Sequence, residues 1–452
     1  MTTTAAPLRD RSLAARRAAV AASSSAAIVV AAGLPIAVAG TDAWHRYRGH
    51  DHHRHLAGEV APARVLVHGP GDGWSLFVPR PGSEDAVWHG SAPRLEDIAA
   101  ATGVAVVRPL TDLAEVLAAA PAVALCGDLD ILERPGGYDL HPEQVAAWPI
   151  DADATAAVEG ALVDSRLVKD GWALAALRRA IAASVAGHEA ARAAVQPGLS
   201  ERRLAQVVEH AFDLAGGEGV AYPSIVLTGR RAATLHGAPG AVALASGDLV
   251  LIDAGAEVEG YDADLTRTLA VGAGLPAQAR AIHDVVRRAQ EATVAAVAPG
   301  VEVRALHDLA SRRLAEGLLE LGLLRGSVDD LLAEEAQTLF FPHGIGHFLG
   351  LATHDVGGYA PGRRRSTQPS LRYLRADRRL EPGMVLTIEP GLYFIDALLD
   401  DPEQRRRHAA QVDFTQVERY RGVGGVRIED DVLVTSDGCE NLSRDLPRDL
   451  GG

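Results

Sequence analysis

Short apolar runs separated by helical stretches fill the first third of the chain. ARVLVHG, WSLFVPR, GVAVVRPL and AVALCGD have the β-branched and apolar content of strands, and LAEVLAAA between them has the spacing of a helix. The pattern predicts an α/β domain over residues 1–160. From Ile150 to Ser165 the sequence turns small and polar, as a linker would, and the boundary is placed near Ala161. Beyond it, LVKDGWALAALRRAIAASVAGHEAARAAV predicts a long amphipathic helix that opens a second domain, residues 161–452. At the N-terminus, Arg9, Arg11, Arg16 and Arg17 precede AAVAASSSAAIVVAAGLPIAVAG. Ser23–Ser25 and Pro35 interrupt that stretch. It therefore predicts an Arg-bearing helix and two core strands, Ile28–Ala31 and Ile36–Ala39, around Gly33, rather than a secretory signal.

The second domain echoes itself. AAVQPGLSERRL from Ala193 and AAVAPGVEVRAL from Ala295 share Pro197/Pro299, Gly198/Gly300, Arg202/Arg304 and Leu204/Leu306 at an offset of 102 residues. Each copy predicts a helix stopped by Pro-Gly and followed by a second amphipathic helix. Strand-like runs near these helices end in acid. DLVLIDAG, a turn at Gly260 and the returning strand YDADLTRTLAV predict a hairpin, with Asp262, Asp264, Thr266 and Thr268 on one face. Such a hairpin brings Asp253 and Asp264, 11 residues apart, together across its strands. In GMVLTIEPG, Val385, Thr387 and Glu389 share a face; in GGVRIEDD, Arg427 and Glu429 do.

Charge and cysteine content narrow the partners. The 44 lysines and arginines stand against 59 acidic residues, a net −15 with no basic stripe, which argues against nucleic acid. Cys126 and Cys439 are far apart and form no CxxC, so neither a disulfide framework nor a thiolate metal site is indicated, and a cytoplasmic location fits. No run reaches the ~18 strongly apolar residues of a membrane span. WHRYRGHDHHRH, with His45, His50, His52, His53 and His55, reads as an exposed loop rather than a metal tract.

The candidate chemistry lies in the acids and one imidazole. Asp253, Asp264, His347 (in FFPHGIGHFLG), Glu389 and Glu429 all sit in or beside runs that should be core. Buried carboxylates are costly unless paired or bound to metal, and four converging without a cation would hold protons. Two divalent cations, four carboxylates and one hydroxide come to a net charge near −1. That balance describes a dinuclear hydrolytic site, and its oxygen-rich donors suit a hard cation such as Mn²⁺.

The order and wording of these segments resemble the creatinase/aminopeptidase metallohydrolases, the pita-bread family, from about Asp164 to about Leu446. The resemblance is greatest to the proline-specific, prolidase-like branch. There the separations of 42 residues from His347 to Glu389 and 40 from Glu389 to Glu429 fit. It implies an α+β pita-bread catalytic domain with an internal pseudo-repeat behind a smaller creatinase-like α/β domain. By the same resemblance Asp253 would hold one metal, His347 and Glu389 the other, and Asp264 and Glu429 would bridge. Glu389 would also shuttle a proton. His236 in TLHGAP, His354 in THDVGG and Tyr222 in AYPSIV match positions beside substrate. His343 matches one too, although a structural histidine with a satisfied ring is the stronger reading for it. Arg375 in LRYLRADRRL matches an arginine that grips the free carboxylate of a dipeptide, and Arg427 would orient a ligand carboxylate from behind.

The implied reaction is hydrolysis of the bond preceding proline in Xaa-Pro dipeptides, with two Mn²⁺ ions, in a homodimer. Three alternatives differ in kind: an Xaa-Pro aminopeptidase acting on longer peptides, a noncatalytic pita-bread module that binds peptide or protein, and a metal-free amidinohydrolase like creatinase. The presence of all five ligand positions disfavours the last two. Organophosphate hydrolysis is a further activity of prolidase-like enzymes.

Overall fold

The computed structural model describes residues 5–80, 82 and 85–451. The chain divides into two compact units, Met1–Arg166 with Asp170–Trp172, and Leu167–Lys169 with Ala173–Gly452.

The first unit is built on five strands, β1 (Ala27–Ala31), β2 (Val65–Gly69), β3 (Gly73–Val78), β4 (Val106–Pro109) and β5 (Val123–Gly127). They lie in the order β4-β3-β2-β1-β5, with β1 antiparallel to β2 and parallel to β5. Side chains alternate between two cores. Val29, Val67 and Phe77 pack with Leu113, Leu117 and Trp148, while Ile28, Leu66 and Leu76 pack with Ile98, Val158 and Leu162. Helices thus cover both faces, which is why β1 is an unbroken apolar run.

Three expectations fail here. Ile36–Ala39 forms no strand: Gly33 adopts φ +87°, the chain turns away, Ile36 is exposed, and only an isolated bridge joins Ala37 to Trp44. The polar stretch read as a linker is the helix Ala152–Leu167, whose Val158 and Leu162 enter the core. The histidine tract is an exposed loop only in its first part, where Trp44, His45 and Arg46 are exposed. Asp51–Ala57 is a helix with His52, His53 and His55 buried. His52 Nε2 lies 3.0 Å from Glu159 and His55 Nε2 lies 2.8 Å from Ser165 Oγ. Spaced partners from the distant helix Ala152–Leu167 make burial of the His52 and His55 imidazoles tolerable, whereas His53 stays neutral, its pKa pulled down to about 3 by burial. The expected Arg-bearing helix is present as Ala5–Ala21, and Arg17 donates to the carbonyls of Leu56 and Thr102.

In the second unit the sequence echo becomes a structural one. Helices Gly171–Ala194 and Glu201–Leu214 pack on β7 (Ile225–Thr228), β8 (Leu249–Asp253) and β11 (Thr266–Ala270). Helices Ala277–Ala295 and Val303–Glu320 pack on β12 (Val385–Ile388), β14 (Gly425–Arg427) and β15 (Asp430–Val434). Each pair closes at a glycine. A Cβ on Gly187 would stand 2.2 Å from the Phe212 ring, and one on Gly317 would stand 2.3 Å from Val285. The strands β11-β8-β7 form one sheet, and β12-β15 with β16 (Cys439–Asn441) form another. The strand β13 (Gly391–Tyr393) pairs with β14.

The hairpin carrying the two aspartates differs from the expected one. Its return strand is split: β10 (Tyr261–Asp262) pairs with β9 (Ala256–Val258) in a sheet with β6 (Gly219–Val220), whereas β11 pairs with β8. The break at Ala263–Leu265 follows from Gly255, where the Ala263 carbonyl comes 1.8 Å from any Cβ that could be built. Asp262 and Asp264 therefore part company, and Asp262 is buried where it accepts a hydrogen bond from Thr353. Among the described residues no helix is long and apolar enough to cross a membrane.

Candidate active site

Strand ends bring the acids together. Thr266, the first residue of β11, pairs with Asp253, the last of β8, and Thr266 also bridges to Glu429 between β14 and β15. The chain around His347 lies along β12: Thr387 N–H donates to His347 O at 2.9 Å, and Glu389 N–H to Ile345 O at 2.8 Å. The result is one cavity of about 1050 Å³. Asp253, Asp264, His347, Glu389 and Glu429 line it, and so do Tyr222, His236, His343, His354 and Arg375. These ten side chains and Arg427, all singled out from the sequence, therefore share one space.

One ligand atom from each of Asp264, His347 and Glu429 lies within 4.8 Å of the other two. His347 is oriented for this by its Nδ1, 3.1 Å from the Phe348 carbonyl, which leaves Nε2 facing Asp264 Oδ2 at 3.3 Å and Glu389 Oε1 at 3.9 Å. Asp253 is joined to Asp264 by the Tyr222 hydroxyl, 2.6 and 2.5 Å from the two carboxylates. Arg427 reaches Asp253 with Nη2, Thr266 with Nε and the Tyr393 hydroxyl with Nη1.

The electrostatics match a cation site. Burial pushes the Asp253 and Glu429 carboxyls above their ordinary range, and Glu389 up to about 7. His347 is raised as well: burial opposes the proton, but the hydrogen bond and charge of Asp264 outweigh it. Four carboxylates thus share the cavity, and among the described residues Arg427 is the guanidinium within 4 Å of them, with His347 beside Asp264. Hard oxygen donors around one imidazole whose Nε2 is presented to them form a donor set that fits divalent metal ions.

The other residues divide by their freedom. His343 has both ring nitrogens engaged: Nδ1 lies 2.8 Å from Gly344 O, and Nε2 lies 3.0 Å from the Tyr393 hydroxyl. Burial, with Arg427 nearby, pulls its pKa down to about 3, so the ring is neutral. With Nδ1–H donating to the carbonyl, Nε2 accepts from Tyr393, which itself accepts from Arg427. His354, by contrast, is exposed in the cavity, its ring perpendicular to that of His347 at 4.4 Å. His236 and Arg375 are also exposed within it.

Several supporting residues escaped the sequence. Tyr393 links His343 to Arg427, and Thr266 Oγ1 donates to Glu429 Oε2 at 2.7 Å. Thr266 carried a signal, since it falls on the strand face assigned to Asp264; Tyr393 looked like any core aromatic. The two aspartates after Glu429 also divide. Arg267 and Arg448 hold Asp430 well below the carboxylate range despite its burial, and Arg267 also donates to Glu429 O at 2.7 Å. Asp431 accepts the Asp264 N–H at 3.1 Å. The acid pair anchors both bridging candidates through backbone contacts.

Comparison with known proteins agrees with this geometry. Residues 175–436 match metallopeptidase family M24, and residues 13–124 match the aminopeptidase P N-terminal domain. The human Xaa-Pro dipeptidase is 34% identical over 391 residues, 82% of this chain and 76% of its own. A probable Xaa-Pro aminopeptidase of Sordaria macrospora is 33% identical over 381 residues, 83% of this chain and 79% of its own. The solved structure of Pseudomonas aeruginosa aminopeptidase PepP superposes with a TM-score of 0.83 at 30% identity, covering 98% of this chain and 96% of that one. The pita-bread unit with its converging acids, and the α/β unit before it, place the chain in metallopeptidase family M24, with an aminopeptidase P-type N-terminal domain.

Proposed function

We propose that the protein is an Xaa-Pro dipeptidase that uses two divalent ions, Mn²⁺ by the hardness of its donors. Asp253, Asp264, His347, Glu389 and Glu429 would hold them. When bound, such ions supply Lewis acidity to the scissile carbonyl and acidify a water to a nucleophile. Glu389 is the most accessible of the four carboxylates, 18% exposed against 3% for Glu429, which suits a group that takes a proton from the attacking water. It then returns that proton to the proline nitrogen as the peptide bond breaks. His354 and His236 face the cavity with exposed rings and are the candidates to donate to the developing oxyanion. Tyr222 holds Asp253 and Asp264 in place, and His343 acts through Tyr393.

The observation that carries this reading is the shared cavity, in which the acid cluster and a cation suited to a free carboxylate occur together. The Arg375 guanidinium lines it and makes no hydrogen bond or ion pair among the described residues. Proline lacks an amide hydrogen and is poorly handled by general peptidases, so a dedicated site has a chemical purpose. Relatives of both names favour a bond before proline, and they divide on substrate length. The cavity volume of about 1050 Å³ supports the second reading, an Xaa-Pro aminopeptidase, because it leaves room beyond a dipeptide. Metal analysis together with Leu-Pro, Gly-Pro and Leu-Pro-Gly hydrolysis tests the proposal. Cleavage of Leu-Pro well above Leu-Pro-Gly, lost on chelation and restored by Mn²⁺, is expected; the opposite order favours the aminopeptidase. A homodimer in the cytoplasm completes the proposal, and light scattering checks the dimer.

A further inference from the structure

Lys169 is the sole lysine among the chain's 44 lysines and arginines. Its side chain is 2% exposed, and its Nζ lies 2.9 Å from Oδ2 of Asp355, which is 1% exposed. Desolvating such a pair is costly, so a surface charge of this kind would not ordinarily be placed inside. Gly350 closes the space around it: a Cβ there would stand 2.0 Å from Asp355 Oδ2 and 2.9 Å from Lys169 Nζ. A guanidinium is a broad planar fork, whereas an ammonium is a compact point charge. In a chain that otherwise uses arginine for its basic side chains, the tight space accounts for the lysine.

The pair fastens the loop that carries His354. That loop leaves the core after Leu351 and returns at Asp355, whose N–H donates to Phe348 O at 2.9 Å. A second fastening joins Thr353 Oγ1 to Asp262 Oδ2 at 2.9 Å, and a third joins Asp262 N–H to Gly350 O at 2.8 Å. Lys169 is itself tied down, its N–H donating to Gly383 O at 2.8 Å in the turn that precedes β12. One residue, through its backbone N–H and its side chain, therefore links the turn before the strand leading to Glu389 with the residue next to His354.

We propose that Lys169 and Asp355 are positioning residues: their ion pair sets where the His354 imidazole stands in the cavity, and so its contact with the scissile carbonyl. This rests on the functional reading above. A merely structural pair would lower stability and leave the role of His354 untouched, and the two cases separate in a double-mutant cycle.

The manganese-loaded full chain is assayed on Leu-Pro as wild type, Lys169→Met, Lys169→Arg, Gly350→Ala, His354→Ala and Lys169→Met/His354→Ala. Bound manganese is measured beside each. Each single variant at 169 or 350 should lose at least ~10-fold in kcat/KM at unchanged metal content, with arginine giving no rescue. In the His354→Ala background, Lys169→Met should cost less than about 2-fold. Losses that multiply, or a fully active Lys169→Met, overturn the proposal. Should Lys169→Met not fold, Asp355→Asn removes the charge while keeping the shape and takes its place in the cycle. If the wild type cleaves neither Leu-Pro nor Leu-Pro-Gly, the functional reading has failed, and a crystal structure of Lys169→Met decides separately. A His354 ring displaced from its place 4.4 Å from His347 supports the proposal, and an unmoved ring overturns it.

Discussion

Arg375 offers the sharpest test of which peptides the cavity takes. Its main chain is held from several sides: a Cβ on Gly358 would stand 2.3 Å from Arg375 O, and one on Gly344 would stand 3.0 Å from the Leu374 Cα and the Tyr373 carbonyl. The Tyr359 hydroxyl donates to Leu374 O at 2.9 Å, and Asp377 N–H donates to Gly358 O at 2.6 Å. The guanidinium itself is exposed. A fixed backbone presenting an unengaged cation loses little freedom when a carboxylate arrives. A hydrogen bond to a charged group is worth ~1.5–3 kcal/mol, and water access keeps this one near the lower end, about 1.5–2 kcal/mol. Arg375→Ala should therefore lower kcat/KM on Leu-Pro by roughly 10- to 30-fold. Leu-Pro-amide, which lacks the carboxylate, should suffer a similar loss with the wild type and little further loss with the variant. Initial rates on both substrates with both enzymes give the coupling directly. If Arg375→Ala slows dipeptide and amide by the same factor, Arg375 does not read the carboxylate and the dipeptidase reading loses its support.

Other outcomes follow from the same geometry. Burial holds His283 and His307 at about 4, so both stay neutral in the fold while the unfolded chain takes up protons below about 6.5. Their contribution to stability is complete above pH ~6.5 and falls as pH drops toward 4, by about 2 kcal/mol each at pH 5. Urea denaturation at pH 7.5 and 5 should show a shallower loss in His307→Phe than in wild type; an identical slope would contradict it. Asp264→Ala removes a ligand candidate shared by the Tyr222 and His347 contacts and should abolish binding of at least one manganese, measured by elemental analysis. Glu389→Gln should lose ~10²–10⁴-fold in turnover per bound metal, and turnover that only tracks metal content would remove the proton-shuttle role. Tyr393→Phe breaks the link from Arg427 to His343 and should lower kcat/KM several-fold without loss of fold, checked by melting temperature.

Much of the candidate site was legible in the chain because the cavity is lined from strand ends. Period-two alternation says which side chains share a face, and the acids at Asp253, Glu389 and Glu429 announce themselves by interrupting apolar runs. Alternation does not say which strand lies alongside. The break at Ala263–Leu265 depends on Gly255 meeting the Ala263 carbonyl, a contact made only after the chain has turned back, so Asp262 and Asp264 looked equivalent until they were placed. The buried histidines of Asp51–Ala57 were misread for a related reason. Their partners Glu159 and Ser165 lie more than a hundred residues away, in a stretch whose small polar composition looked like a linker.

The same limit explains which supporting residues stayed hidden. A ligand carboxylate must differ from its surroundings, whereas the groups that aim it can be ordinary: a threonine in a strand, a tyrosine in a core, an arginine among many. Arg267 shows how much such a residue can carry. It is buried, pairs with Asp430, and donates to the carbonyls of Thr266 and Glu429, joining the start of β11, just after Asp264, to the junction of β14 and β15 at Glu429. Cutting that joint leaves Asp430 with Arg448 as its remaining arginine partner and takes a side-chain donor from the Glu429, Leu446 and Pro447 carbonyls, a loss on the order of 3–5 kcal/mol. Arg267→Met should therefore unfold well below the wild-type temperature in metal-free protein. Added manganese, binding only the folded chain, should recover part of the difference. A melting temperature within a degree or two of wild type would mean that the sheet halves are held together by packing alone.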